Sequence, residues 1–164
     1  MFNKILVALD GSESSKQIFN AALALAKATN ATLMLLHVLS TEADGYPNLE
    51  LQPTLSYYPG RQEEITRYLK RLKAFENKGI ELLRSRILEA TAAGVKAEFT
   101  QNTGNPSWSI CDLARTWGAD LIVMGRRGRA GLKEAVLGSV STYVTHNAQC
   151  SVMIVQLENW AIPS

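Results

Sequence analysis

Residues 4–38, KILVALDGSESSKQIFNAALALAKATNATLMLLHV, decide the fold. Ile5-Leu6-Val7-Ala8-Leu9 is an unbroken apolar run of strand length, and Leu33-Met34-Leu35-Leu36 is a second. A strand without polar alternation must be covered on both faces, which is the condition inside a parallel sheet. Between the runs Ile18, Ala22, Leu25 and Ala26 recur at helical spacing, and the stretch closes near Thr29-Asn30. Parallel strands need a crossover of that kind, so the segment reads as a β-α-β unit.

Further out, Leu121-Ile122-Val123-Met124 and Val152-Met153-Ile154-Val155 are two more continuous runs, while Val95-Lys96-Ala97-Glu98-Phe99 alternates. Alternation leaves one face toward water, so this third strand is expected at a sheet edge. A helix is expected from Arg61 to Ala93 on Ile65, Leu69, Leu72, Ile80, Leu83 and Ile87, with Gly79 interrupting the stripe and Gly94 as C-terminal cap. Its interspersed Lys, Arg and Glu read as a solvated face rather than a nucleic-acid surface. Asn105-Pro106 supplies an N-cap and a first-turn proline ahead of Ile110, Leu113 and Ala114, and Ser139 to Asn147 supplies a fourth helix. Ser12, Ser14 and Ser15 crowd the start of the first helix, where hydroxyls accept from free backbone amides. Ser40 to Gly60, with Gly45, Pro47, Pro53 and Pro59, shows no periodicity and is expected to be a flap or insertion, its Tyr57 and Tyr58 either contacting a ligand or partner or, as is commoner for loop tyrosines, packing locally.

At 164 residues the chain suits one domain, and 46% hydrophobic with 20% charged residues describes an ordinary globular protein. Seventeen basic against 15 acidic residues give a net charge of +2, short of what a dedicated nucleic-acid module carries. Cys111 and Cys150 stand far apart without a CxxC pair, which argues against a disulfide scaffold or a structural zinc site and predicts plain buried thiols in a reducing compartment. No apolar run reaches the roughly 20 residues that span a bilayer, and the first residues enter a strand pattern at once. A cytoplasmic protein without membrane or nucleic-acid partners is the expectation.

The chemistry-bearing stretch follows the fourth strand: Gly125-Arg126-Arg127-Gly128, nine residues, then Gly138-Ser139 opening a helix. Glycines let backbone amides approach a phosphate, and a helix start adds unpaired amides and a positive dipole end. Arg126, Arg127, Arg129 and Lys133 add charge, and the Ser139 hydroxyl is a donor for a phosphate oxygen. Taken one at a time, these glycines shape turns and Ser139 caps a helix; together they describe an anion cradle. Asp10 follows the first strand and, in a doubly wound sheet, faces Gly125 across the ligand crevice. A carboxylate there accepts from a ribose hydroxyl or holds a divalent cation, or it is a turn residue before the helix; position alone does not separate the two. GxxxxGK[ST] and GxGxxG are both absent, and His37 and His146 stand isolated from any nucleophile.

In combination, KILVALDGSE, Leu36-His37-Val38, GADLIVMG over residues 118–125 and GSVSTYV over residues 138–144 resemble the universal stress proteins, in the branch carrying Gly-x2-Gly-x9-Gly-Ser/Thr. The likeness runs from Lys4 to Gln156. It implies an α/β fold, a single doubly wound, Rossmann-like five-stranded parallel sheet in order 3-2-1-4-5 with helices on both faces. The domain would cover residues 1–157 with a variable insertion at about 40–60, followed by a tail at 158–164. It further implies a bound ATP or AMP, with Mg2+ or Mn2+ accompanying ATP. By that likeness Asp10 faces the ribose or metal and the Val38 backbone faces the adenine. Gly125, Gly128, Gly138, Ser139 and Val140 meet phosphates and ribose, while Ala8, Leu9, Met124, Arg127 and Ser141 line the site. Arg126-Arg127 depart from the small or hydroxyl residue that often follows the first glycine, and Ser151 stands where proline is frequent.

The expected function is therefore a dimeric nucleotide-binding stress-response module, at most a slow ATPase. Its homodimer would pair the last strand, Val152, Met153, Ile154 and Val155, with its copy. The alternative is an adenylyl-transferring or ATP-hydrolysing enzyme of the same α/β superfamily, but HxGH, KMSKS and SGGxDS are missing. A nucleotide-free interaction protein would not need the glycine motif.

Overall fold

The computed structural model describes residues 1–48, 61–126 and 137–156. Among them the chain runs β1 (Lys4–Leu9), α1 (Ser15–Thr29), β2 (Thr32–Leu39), α2 (Arg61–Ala92), β3 (Ala97–Thr103), α3 (Pro106–Trp117), β4 (Leu121–Gly125), α4 (Ser139–Asn147) and β5 (Ser151–Val155). The five strands form one sheet in the order β3-β2-β1-β4-β5, every neighbouring pair parallel. The sheet order and the helices on both faces are as expected.

The unbroken apolar runs serve two cores. Ile5, Val7 and Leu9 of β1, Leu33 and Leu35 of β2, and Leu121 and Val123 of β4 meet Ile18, Phe19, Ala22 and Ala26 of α1 and Leu83 and Ala90 of α2. Leu6, Met34, Leu36, Ile122 and Met124 point the other way, onto Ile110 and Ala114 of α3 and Val144 of α4. Successive strand side chains alternate between faces, so a strand covered on both sides is apolar at every position.

β3 is the edge strand the alternating pattern predicted, but it starts at Ala97, two residues late. Val95 closes the preceding turn instead, its amide donating to the Ala90 carbonyl, with Gly94 left-handed at φ 77° beside it. The left-handed cap is the conformation a glycine adopts without strain.

Helix ends follow local chemistry with one exception. Asn105 caps α3 by accepting from the Trp108 amide at 3.1 Å, ahead of Pro106. At the start of α1, Ser14 makes no side-chain capping bond. The turn is closed by backbone, the amides of Ser15 and Lys16 donating to the carbonyls of Ser12 and Glu13. α2 is continuous through Gly79. A Cβ there would lie 2.6 Å from His37 Nδ1 and would also strike Gln101, so the missing side chain is what lets the helix touch the sheet. Of the Ser40 to Gly60 connection, Tyr46 packs edge-on against Phe75 of α2 with ring centroids 5.6 Å apart. Tyr57 and Tyr58 lie outside the described residues.

Candidate functional site

Strand pairing sets Gln101, His37 and Leu9 side by side, and Gly125 beside Val155. Val7 pairs with Val123, so Gly125 stands level with Leu9 and the row crosses the whole sheet. Above it β1 ends, while β2 continues through Val38 to Leu39 along β3, and the Arg126 amide extends the other side by donating to the Val155 carbonyl at 3.2 Å. The result is a notch with Leu9 as floor, Val38 on one wall and Gly125-Arg126 on the other. It lies where connections leave β1 in one direction and β4 in the other, the topological switch point of an open α/β sheet.

Asp10 rises from this floor. Its Oδ1 accepts from the Ser12 amide at 3.0 Å and from the Ser12 hydroxyl, which also bonds the Ser14 hydroxyl. The turn role weighed from the sequence is thus realised, and it fixes the carboxylate at the notch. Ser12 is the partner that sequence reading passed over, although Asp-Gly-Ser is a recognisable side-chain-to-backbone turn.

Gly125 is gripped from both faces. A Cβ on it would lie 2.5 Å from Ile18 Cδ1 and 3.2 Å from Ile18 Cγ1. On the other face its carbonyl accepts from Ser141 Oγ at 3.1 Å. This bond ties the first turn of α4 to the end of β4. Gly138, extended at φ −61° and ψ 165°, occupies the N-cap without a side-chain bond, and exposed Ser139 is the first helical residue rather than the cap. The amides of Ser139, Val140 and Ser141 belong to a first turn that has no acceptor within the helix. They carry the positive end of the helix dipole toward the same edge.

The structure thus brings together Leu9, Asp10, Val38, Gly125 and the start of α4; Ala8, Val38 and Val140 pack with Met124 on the α3 and α4 face. Arg127, Gly128, Arg129 and Lys133 lie outside the described residues. His37 is 7% exposed and turned toward α2, its Nδ1 2.9 Å from Gln101 Oε1, while Gln101 Nε2 donates to the Glu76 carbonyl at 3.1 Å. His146 stands in the last turn of α4, away from its N-terminal end. Cys111 and Cys150 are half-buried rather than fully buried; burial raises both thiols, and Asp120 and Cys111 push Cys150 further. Raised thiols are poor nucleophiles. Among the described residues no three His, Cys, Asp or Glu converge on a metal position. Two grooves of about 230 and 410 Å³ open beside Lys96 and Gly94, at the opposite end of the strands from the notch. Neither holds a set of reactive side chains. No helix among the described residues is long and apolar enough to cross a membrane.

Comparison with known proteins agrees with this fold. Residues 1–156 match the family described as the Universal stress protein family. Universal stress protein Sll1388 of Synechocystis is 38% identical over 156 residues, covering 94% of this chain and 98% of that protein. Among solved structures, a universal stress protein family protein from Arabidopsis thaliana with AMP bound is 25% identical with a TM-score of 0.64, covering 99% of this chain and 96% of the other. A universal stress protein in complex with cAMP is 26% identical with a TM-score of 0.60, covering 94% and 97%.

Proposed function

Because the chain belongs to the universal stress protein family, we propose that it binds an adenine nucleotide in the notch above Leu9 and acts as a nucleotide-responsive binding module. The observation that carries this reading is the Ser141 to Gly125 bond, which holds the uncapped N-terminus of α4 beside the end of β4. Backbone amides with a positive dipole end are suited to phosphates. Two structural neighbours whose bound ligands are AMP and cAMP support the same ligand class.

In this reading the amides of Ser139 and Val140, with Gly125, Gly128 and Gly138, hold the phosphates, and Arg127 adds charge. The β2 backbone at Val38 lies one residue past the last β1 pairing, which brings it to the notch. An amide and a carbonyl there match the N1 acceptor and N6 donor of adenine; guanine presents the opposite sense. Asp10, fixed by Ser12, lies at the ribose or at a divalent ion. With Asp10 the carboxylate placed at the notch among the described residues, such an ion would draw further ligands from phosphates and water, as Mg2+ commonly does.

The site favours binding over turnover. Fast phosphoryl transfer needs a nucleophile oriented by a base, and neither His37 nor His146 faces the notch. β5, apolar along Val152, Met153, Ile154 and Val155 and last in the sheet order among the described residues, is the surface we assign to a homodimer. The test of the central reading is to denature the purified protein and chromatograph what it releases. An adenine nucleotide in a stoichiometry approaching one per chain supports the reading; a protein that neither releases nor takes up one overturns it.

A further inference from the structure

The first four turns of α2 have no part in the nucleotide reading. Gly79 fixes where the helix meets the sheet, against His37 and Gln101 in the row that also holds Leu9 and Gly125. From that row β2 and β3 run on only to Leu39 and Thr103, about 7 Å further. α2 runs back from Gly79 to Arg61, about 27 Å of helix. On the order of 20 Å of helix therefore stands past the edge of the sheet. Exposure agrees, since every residue from Arg61 to Arg67 is exposed.

This spur carries an apolar stripe and a concentrated charge. Ile65, Leu69 and Leu72 continue the three-and-four spacing that, lower down, buries Gly79, Leu83 and Ala90. On the spur Ile65 is 38% and Leu69 54% exposed, while Leu72, nearer the sheet, is half-buried. Residues 61–74 hold five basic side chains, Arg61, Arg67, Lys70, Arg71 and Lys73, against Glu63 and Glu64. Of totals of 17 basic and 15 acidic residues, the rest of the chain keeps 12 and 13, so the whole positive excess of the protein sits on the spur. Its ion pairs, Glu63 with Arg67 at 3.8 Å and Lys73 with Glu76 at 3.6 Å, are long and solvent-facing and neutralise little of it.

We propose that residues 61–74 are a docking surface for an acidic amphipathic helix of a partner protein. An apolar stripe at helical spacing is met by a stripe of the same kind on another helix, and acidic flanks complement Arg61, Lys70, Arg71 and Lys73. A second copy of this chain carries the same excess charge and is repelled. A bilayer surface asks for a broader apolar face than three aliphatic side chains give. The surface is independent of nucleotide binding and gives the module something to act through.

The probe is a dye-labelled helical peptide of leucine and glutamate, leucines at three-and-four spacing, titrated with the full chain and followed by fluorescence anisotropy. Wild type binds, and added salt weakens the complex. Leu69→Glu and the double variant Lys70→Glu/Arg71→Glu each weaken it about tenfold or more, whereas Arg71→Lys retains it. All three positions are exposed, and an unchanged thermal melt confirms that the variants fold. Failure of the wild type to bind, or equal binding by the charge-reversed variant, overturns the proposal. So do three other results: the same residues driving adsorption to phosphatidylglycerol vesicles, the same residues driving concentration-dependent self-association in sedimentation, or peptide binding that appears only after residues 49–59 are deleted, which would assign the stripe to the chain's own connection.

Discussion

Ile18 and Gly125 are in such close register that a single added carbon on the glycine would stand 2.5 Å from Ile18 Cδ1. Ile18 is buried in the α1 core and has little room to yield. Gly125 is thus a packing glycine as well as the end of β4, where the proposed nucleotide site begins. Gly125→Ala should destabilise the fold by about 1–3 kcal/mol through overpacking. Thermal unfolding checks this, and an unchanged Tm would show that Ile18 moves aside freely.

Gly138 offers the contrasting case, because it opens α4 at the surface. Gly138→Glu places a carboxylate where the proposal puts phosphate, leaving the two cores untouched. Wild type at about 100 times its Kd for Mg-ATP gains about 2.7 kcal/mol by mass action, a rise of several degrees in Tm. The variant should fold and show no rise; an undiminished rise would remove the start of α4 from the site. Gly128→Glu is expected to behave alike.

Both the fold and these two glycines were legible in the sequence, but unequally. Four of the five strands were plain because alternation between two cores makes an unbroken apolar run, as in Ile5 to Leu9. The start of β3 was misplaced because Val95 has the right parity for the strand yet is used to close the turn after Ala90. The serines ahead of α1 look like caps, but Asp10 recruits Ser12 and the backbone closes the turn itself. Gly79 read as a blemish on a helical stripe because its reason lies across the sheet, at His37 and Gln101, where no local pattern points. The candidate site stood out as a glycine motif, while the hold on Gly125 by Ile18 and Ser141 comes from residues far away in sequence.

Glu89 links α1 and α2, pairing with Lys16 and with Arg86, the latter at 2.6 Å. The hydrogen bond from Lys16 and then that from Arg86 hold its carboxyl below the ordinary 4.5 against the opposing effect of burial. A folded-state value below the unfolded one adds stability above the unfolded value, and that stability is lost as pH falls through the folded one. Glu89→Gln should therefore cost up to about 1 kcal/mol near neutrality, with wild type and variant converging as pH falls through the lowered folded-state value. Denaturant titrations at a series of pH values decide it; a gap that persists in acid would place the effect in packing.

Aspartate at both Val152 and Ile154 should convert the proposed homodimer to monomer or insoluble protein, because it puts charge into an apolar strand edge. Light scattering that still reports a well-behaved dimer would move the interface elsewhere.

Hydrolysis of saturating Mg-ATP should run far below the roughly 10 per second typical of enzymes. Asp10→Ala serves as the control for contaminating activity. Turnover of several per second that this substitution abolishes would promote the enzymatic alternative.

Calorimetric titration of the purified, nucleotide-free chain with ATP, AMP and cAMP, and with GTP as comparison, tests the central claim most directly. The account predicts one saturable site per chain for at least one adenine nucleotide, and binding of its guanine counterpart weaker by about tenfold or more. A folded protein that gives no saturable heat with any adenine nucleotide, or that takes GTP as readily as ATP, contradicts it.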